Sequence, residues 1–319
     1  MGIKRKVLNG FIKTLAYDKS SINYILYYTL LEGILVLAIP LTSSFVINSL
    51  VAHSYISLIT LGIVISVIFI LIVALRLIQE YIIEKFEQKV FVRQGLDTAS
   101  KVYNLKENNK TINYPIDKLM NYFFEITTIQ KIFPVFILNG AGLIIQVLLT
   151  LLLLLIFNEN LFFGAFGIIF FYIILIIFLG KNGIKFAAER SDTKHSAIHY
   201  LQKLPNSELS KDKIFSDMEK NMSKYVDARQ NQFGVRIKQL AISFLTQGII
   251  ITGFFILGGY LVINGSMPIG EFVASEIIVV TLIYAMNSFV KQIDYIYDGI
   301  EGYYKIGKLS SYLEGSLGE

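Results

Sequence analysis

Three residues towards the C-terminal end have the spacing of a phosphate-binding loop. Gly302, Gly307 and Lys308 match the GxxxxGK part of the motif whose backbone N–H groups and lysine hold nucleotide phosphates. The match is incomplete, because Leu309 stands where that motif has the serine or threonine that binds Mg²⁺. No apolar strand precedes the segment, and the sequence after it is too short for an ATPase fold. We therefore interpret the segment as part of a helix.

Two histidines and an acid have the spacing of a metal site. His195 and His199 are four residues apart and Asp192 comes one turn earlier, which could place three ligands on one helix face. The surrounding stretch is crowded with charged residues and offers no residues to orient the ligands. We interpret it as a solvated helix face and predict no metal. The sequence has no cysteine, which excludes disulfides, thiol nucleophiles and cysteine metal sites.

Two acids interrupt otherwise apolar stretches. Glu32 and Glu276 are the candidates for a substrate pathway, because an unpaired charge in hydrocarbon costs ~3 kcal/mol or more and usually faces a cavity or a partner. An alternative remains for each residue. Glu32 could reach interfacial water, and Glu276 could extend to the opposite membrane surface.

The composition predicts the elements that position these residues. Of 319 residues, 54% are hydrophobic and 17% charged, with a mean hydropathy of +0.58, which is typical of an integral membrane protein. The apolar residues form six blocks long enough to cross ~30 Å of hydrocarbon. The blocks lie at about residues 22 to 51, 57 to 78, 133 to 157, 161 to 179, 240 to 263 and 269 to 290. We predict an all-α membrane protein with six transmembrane helices, spans 1 to 6. The basic residues are mixed with acids, so no nucleic-acid partner is expected.

Charge in the connections predicts the orientation. The short connections HSYIS, NEN and NGSMP contain no lysine or arginine, whereas the N-terminal segment, the long connections 79 to 132 and 180 to 239, and the C-terminal tail contain every lysine and arginine outside the spans. Because positive charge concentrates on the cytoplasmic side, we expect a multi-pass protein of the cytoplasmic membrane with both termini in the cytoplasm.

The long connections are expected to be helical hairpins. Apolar residues recur there every three or four positions, and Pro115 and Pro205 mark the breaks at the two tips. Residues 1 to 20 have a basic amphipathic pattern that predicts an interfacial elbow helix lying on the membrane. The alternative for that segment is a solvated tail.

Several stretches resemble the transmembrane domain of ABC exporters. GGYLVINGSMPIGEFVA, from Gly258, is similar to the family's outer turn between helices 5 and 6, with Gly265 and Gly270 bracketing the turn. IPLTSSFVINSLVAHSYISLITLGIVI resembles the first outer turn of the haemolysin-type, or type I secretion, branch, although Asn48 replaces its usual aspartate. Arg76 also stands where that branch tends to have arginine.

A third stretch, PIDKLMNYFFEITTIQKIF, is similar to the family's first cytoplasmic tip and return helix. It departs from the family, which usually has glycine, an acid and then arginine at this tip. The second tip, KLPNSELSKDKIF, lacks the usual glycine at its start.

The resemblance implies a transmembrane domain without its nucleotide-binding ATPase domain. Residues 1–20 would be the elbow helix, 21–308 the six-helix transmembrane domain, and 309–319 a tail toward a missing or separate nucleotide-binding domain. The chain would not be an enzyme by itself and would hold no cofactor, since ATP and Mg²⁺ would bind the partner ATPase. The other implied partners are a second copy or homologous half, periplasmic adaptor proteins and the lipid bilayer. The secretion branch favours a polypeptide substrate, with a lipid or hydrophobic small molecule as the alternative.

The hairpin tips, at about 109 to 118 and 206 to 216, are expected to contact that ATPase because they mix apolar and charged residues. The candidate coupling residues are Pro115, Ile116, Asp117, Leu209, Ile214 and Phe215. The alternative is that these apolar residues pack within the hairpins. The rival function is a motorless pore or partner-binding protein on the same scaffold.

Overall fold

The computed structural model describes residues 11–12, 14–53, 58–107 and 121–313, and in these ranges all regular secondary structure is helical. The α-helices are α1 Lys19–Val36, α2 Ala38–Val51, α3 Leu58–Glu107, α4 Ile126–Phe133, α5 Ala141–Phe157, α6 Glu159–Leu179, α7 Gly183–Lys203, α8 Lys211–Ile263 and α9 Ile269–Leu313. Short 3₁₀ turns occupy Asn121–Glu125, Gly180–Asn182 and Leu204–Asn206, and a π-helix occupies Pro134–Gly140.

Within the described ranges, six helical stretches are long and apolar enough to cross a membrane, as predicted for a multi-pass protein with six transmembrane helices. They are Lys19–Val51, Ile59–Asn104, Asn121–Phe157, Glu159–Asn206, Lys211–Ile263 and Ile269–Ser311. Several are far longer than the ~20 residues that a bilayer requires. Helix α8, with 53 residues, would extend over roughly 80 Å. These helices therefore continue well beyond the hydrocarbon.

Among the residues that the structure describes, the buried apolar side chains form two clusters, and α9 contributes to both. One cluster joins α5, α6, α7, α8 and α9, and Leu282 on α9 is among its most buried members. The other joins α1, α3, α4 and the last turns of α9. There the ring of Phe133 stacks on the ring of Phe11, with the two ring centroids 5.6 Å apart, and its centroid lies 4.8 Å from that of Phe86. Helix α9 therefore holds the two halves of the bundle together.

Two glycines shape the turn before α9 and its contact with α2. Gly265 has a positive φ of 68°, a conformation that glycine adopts without steric cost. The N–H of Gly270 donates to Oδ1 of Asn48 at 3.0 Å, and a Cβ at Gly270 would lie 2.4 Å from that oxygen. The expected tight turn is thus confirmed, and α2 and α9 approach each other at backbone distance.

A second close contact, between Gly183 and Tyr297, fixes the start of α7 against α9. A Cβ at Gly183 would lie 2.3 Å from Cζ of Tyr297, so only glycine leaves room for this ring. The Gln239 Nε2 amide donates to the Tyr297 hydroxyl at 3.0 Å and to the carbonyl of Ile176 at 3.1 Å. Helices α6, α7, α8 and α9 therefore meet at one point.

Helices α7 and α8 pack against each other along their polar parts. Pro205 lies in the 3₁₀ turn between them, as its fixed φ and missing N–H predicted. Pro115, Ile116 and Asp117, the predicted residues of the first tip, lie outside the described residues.

Candidate functional site

A cavity of about 470 Å³ lies between α1, α3, α5 and α9, next to the π-helix. Its polar lining residues are Thr29, Glu32, Arg76, Gln79, Glu80, Asn139, Gln146 and Ser288. Apolar side chains complete the wall, among them Val36, Leu37, Leu138, Leu143, Ile145, Leu149 and Phe289. The cavity is thus amphipathic and lies where four of the candidate spans meet.

An ion pair between two helices lies in this wall. Nε of Arg76 donates to Oε1 of Glu32 at 2.6 Å, and Nε2 of Gln79 donates to Oε2 at 3.0 Å. The Thr29 hydroxyl lies 3.2 Å from Oε1 of Gln79 and extends the network. The Glu32 side chain is only 17% exposed, whereas that of Arg76 is 64% exposed. The carboxylate therefore has a partner on each oxygen, and the Arg76 side chain remains largely exposed.

Helical spacing brings these groups to one face. On α1, Thr29, Glu32 and Gly33 are three and four residues apart, and a helix places such residues one above another. Arg76 and Gln79 have the same relation on α3. A Cβ at Gly33 would lie 2.9 Å from Cδ1 of Leu149, so glycine there allows α5 to approach α1 closely.

The π-helix Pro134–Gly140 forms one side of the cavity. Pro134 has no N–H and cannot donate to the carbonyl one turn earlier, which favours a local departure from α-helical hydrogen bonding. Asn139 on this segment lines the cavity and its Nδ2 donates to Oε1 of Gln292 on α9 at 2.6 Å. The π-helix thus supplies the polar side chain of Asn139 to a largely apolar span.

The two candidate pathway acids are not brought together. Glu32 lines the cavity, but Glu276 does not, although both belong to predicted spans. Glu276 is half-buried on α9 and makes no hydrogen bond or ion pair within the described part of the chain.

Sequence reasoning missed Glu80, Asn139 and Gln146. A polar side chain inside or just beyond an apolar block was the available signal for all three.

A second polar cluster lies outside the six apolar blocks of the sequence, between the 3₁₀ turn Asn121–Glu125, α7 and α9. His195, only 2% exposed, has its Nε2 2.9 Å from Oε1 of Glu125, and Nζ of Lys194 lies 2.6 Å from the same oxygen. Lys305 forms an ion pair with Asp192. The expectation of a solvated face is therefore wrong for His195. No group of three or more potential ligands is placed to hold a metal ion among the residues that the structure describes.

Two carboxyl groups of this cluster have opposite pKa shifts. Burial raises the pKa of Glu125, but hydrogen bonds from His195 and Lys194 outweigh it and lower the pKa to about 2. Burial, reinforced by the negative charge of Glu125, raises the pKa of Glu301 to about 8. At neutral pH, Glu125 is therefore ionised and Glu301 is mostly protonated.

Further ion pairs tie the polar parts of the long helices together. Nη2 of Arg190 on α7 lies 2.6 Å from Oδ1 of Asp298, and Nη1 of Arg236 on α8 lies 2.7 Å from Oδ2 of Asp294. Both aspartates are on α9. Together with the cluster around Glu125, these pairs connect three helices over several turns.

The second tip exposes apolar side chains. Phe215 is 65% exposed and Leu209 is also exposed, whereas Ile214 is half-buried. The Tyr200 hydroxyl donates to the carbonyl of Ile214 at 3.4 Å, which joins α7 to the start of α8.

The segment with phosphate-loop spacing is helical. Gly302, Gly307 and Lys308 lie in the continuous helix α9, which confirms the helical interpretation. A Cβ at Gly302 would lie 3.1 Å from Cγ1 of Ile129, so this glycine serves the packing of α9 on α4.

No protein-family model matches the chain, and no curated protein sequence matches it.

Proposed function

We propose that this chain is the membrane-spanning subunit or domain of an ABC exporter. It forms the substrate pathway and alternates between inward-facing and outward-facing states, driven by ATP hydrolysis on a separate or absent ATPase domain. The observation that carries the proposal is the polar cavity between four candidate spans, with the Glu32–Arg76 pair in its wall. In this arrangement both termini lie in the cytoplasm and the spans cross the cytoplasmic membrane.

The cavity supports a transport pathway for an energetic reason. Charged side chains within a bilayer are costly and are found facing cavities, partners or ion paths. Glu32 and Arg76 offset each other, and Gln79 satisfies the second carboxylate oxygen. Because the network lines a cavity, it supplies polar contacts at the place where the four spans meet.

The long helices supply the mechanical link. Alternating access needs rigid bodies that transmit motion from the ATPase to the bilayer. The pairs Arg190–Asp298 and Arg236–Asp294, with the cluster around Glu125, support movement of α7, α8 and α9 as a unit. Force would enter at the tips, where the cytoplasmic hairpins meet the ATPase.

The second tip has the chemistry of a docking element. Phe215 and Leu209 are exposed at a point where no membrane covers them in this arrangement, which suits a short helix held in a groove of the partner. Ile214 would support the tip from within. Pro115, Ile116 and Asp117 would form the matching contact of the first tip.

The remaining parts of the proposal depend on the resemblance to the secretion branch. The transporter would act as a dimer with a second copy or a homologous half, would cooperate with periplasmic adaptor proteins, and would export a polypeptide. ATP and Mg²⁺ would bind only the ATPase partner.

The second candidate function is a pore or a partner-binding protein that works without an ATPase. It is favoured by the altered first tip, where Pro115, Ile116, Asp117 and Lys118 replace the glycine, acid and arginine of the family. Such a protein would keep the six helices without needing to bind an ATPase.

Co-purification with an ATPase separates the two functions. The chain is co-expressed with each ATPase found in the neighbouring open reading frames, purified in detergent and assayed for ATP hydrolysis. We expect a stable complex that hydrolyses ATP, and no hydrolysis by the chain alone. Phe215→Asp should abolish the complex, whereas Val226→Asp, exposed on the same helix about three turns away, should not. A complex that survives Phe215→Asp, or no complex at all, would favour the second function.

A further inference from the structure

The charges of the cavity wall do not balance. Three charged side chains line it, namely Glu32, Arg76 and Glu80. Because Arg76 offsets one carboxylate, the two acids and one guanidinium leave one negative charge. A ligand with a positive charge would complete the balance.

Glu80 is the carboxylate without compensation. It follows Arg76 by one turn on α3, a spacing at which arginine and glutamate commonly pair. Arg76 instead directs its Nε to Glu32 on α1. Glu80 is exposed and, in the described ranges, makes no hydrogen bond or ion pair. Its carboxylate is therefore available to a ligand.

The rest of the wall suits an apolar body. Leu138, Leu143, Leu149 and Phe289 line the same cavity, whose volume of about 470 Å³ lies in the range of sites for small organic ligands. Gln146 also lines the cavity and has no hydrogen-bond partner among the described residues, so its amide can accept from an ammonium group.

We propose that the cavity binds an amphipathic cation, with the positive charge near Glu80 and the apolar body against the leucine and phenylalanine side chains. Glu32 acts as a positioning residue that holds Arg76 away from Glu80. The inference names the chemical class of the substrate and rests on the proposed transport function. The cation could belong to a small amine or to a lysine of an extended polypeptide.

Binding of two probes of equal shape and opposite charge tests the proposal. The purified full chain in dodecyl maltoside is dialysed to equilibrium against tetraphenylphosphonium or, in separate cells, tetraphenylborate, and binding to detergent alone is subtracted. We expect saturable binding of the cation that is tighter than binding of the anion. A lysine–leucine peptide that displaces the phosphonium would identify a polypeptide source, and failure to displace it would identify a small-molecule source.

Two variants on α3 supply the matched comparison. Glu80→Gln should weaken phosphonium binding roughly three- to tenfold, because one partly solvated charge interaction is lost. Glu84→Gln, the same change one turn farther on and outside the cavity wall, should leave binding unchanged. The thermal unfolding of each variant controls for folding.

Equal or tighter binding of tetraphenylborate, or the same affinity for Glu80→Gln and Glu84→Gln, would overturn the proposal. Because this assay needs neither ATP nor an ATPase, its failure is distinct from failure of the transport function, which the co-purification experiment reports.

Discussion

Nε2 of His195 on α7 lies 2.9 Å from Oε1 of Glu125, a residue seventy positions earlier in the chain, and both side chains are buried. Lys194 binds the same carboxylate oxygen, so one acid holds two consecutive residues of α7. This contact joins the segment before α4 to the helix that follows span 4.

Glu125→Gln should destabilise the protein by about 3 kcal/mol, because removing one member of a buried ion pair leaves its partners uncompensated. Glu301→Gln is the matched variant in the same cluster. At neutral pH this acid is mostly protonated in the folded protein but ionised in the unfolded chain, so the amide, which avoids that proton uptake, should leave stability unchanged or raise it. Thermal unfolding in detergent at pH 7 measures both. Equal losses would contradict the assigned charge states.

Glu301 and Glu125 should each contribute to the pH dependence of the protein's stability. Glu301 has a folded pKa of about 8, above its ordinary 4.5, so its contribution is present below pH 4.5 and is lost as the pH rises to 8. Glu125 has a folded pKa of about 2, so its contribution is present above pH 4.5 and is lost as the pH falls toward 2.

The Glu301 effect can be isolated by comparison with Glu301→Gln. Between pH 5 and 8 the wild type should lose unfolding temperature relative to this variant. Parallel curves would show that Glu301 does not titrate in this range. Ser191, Glu125, Lys194 and Lys305 surround Glu301, and all are unchanged in the comparison.

A double-mutant cycle should detect the Glu32–Arg76 pair. Glu32→Gln and Arg76→Gln should each destabilise the protein, and the double variant should lose less than the sum by about 1 kcal/mol, since the exposed guanidinium is partly solvated. Additive losses in thermal unfolding would mean that the two residues do not interact in the membrane protein.

Gly183→Ala should destabilise the bundle by roughly 1 to 3 kcal/mol, because the added Cβ overlaps the Tyr297 ring and displaces its hydroxyl from Gln239. Gly234→Ala is the control, since a Cβ there meets no atom within 4 Å. This variant should be neutral or slightly stabilising, as alanine is the better helix former. A larger loss for Gly234→Ala would contradict the described packing.

The orientation can be tested with single cysteines, because the chain has none of its own. Glu159 and Ser266 are exposed in short connections, and Asn206 is exposed in the turn after α7. Cysteines at the first two positions should react with an impermeant reagent from outside the cell, and a cysteine at Asn206 should react only after the membrane is permeabilised. The reverse pattern would invert the proposed topology.

Sequence reasoning determined the six helices because their cause is local. A run of about 20 apolar residues in a bilayer has to satisfy its own backbone hydrogen bonds, and a helix does so within one segment. The same local logic identified the helix around Gly302 and the turn at Gly265. These features need no knowledge of which helices become neighbours.

Only the tertiary structure decided which polar residues meet. Spacing placed Glu32 on a helix face, but its partner Arg76 is on another helix, forty-four positions away. His195 lies in a stretch whose sequence is typical of a solvated helix face, and only the packing of Glu125 against it shows that it is buried. The cavity likewise depends on the π-helix after Pro134 and on the approach of α5 at Gly33. Periodicity specifies a side chain's direction within its helix, whereas pairing, burial and cavities arise from the packing of separate helices.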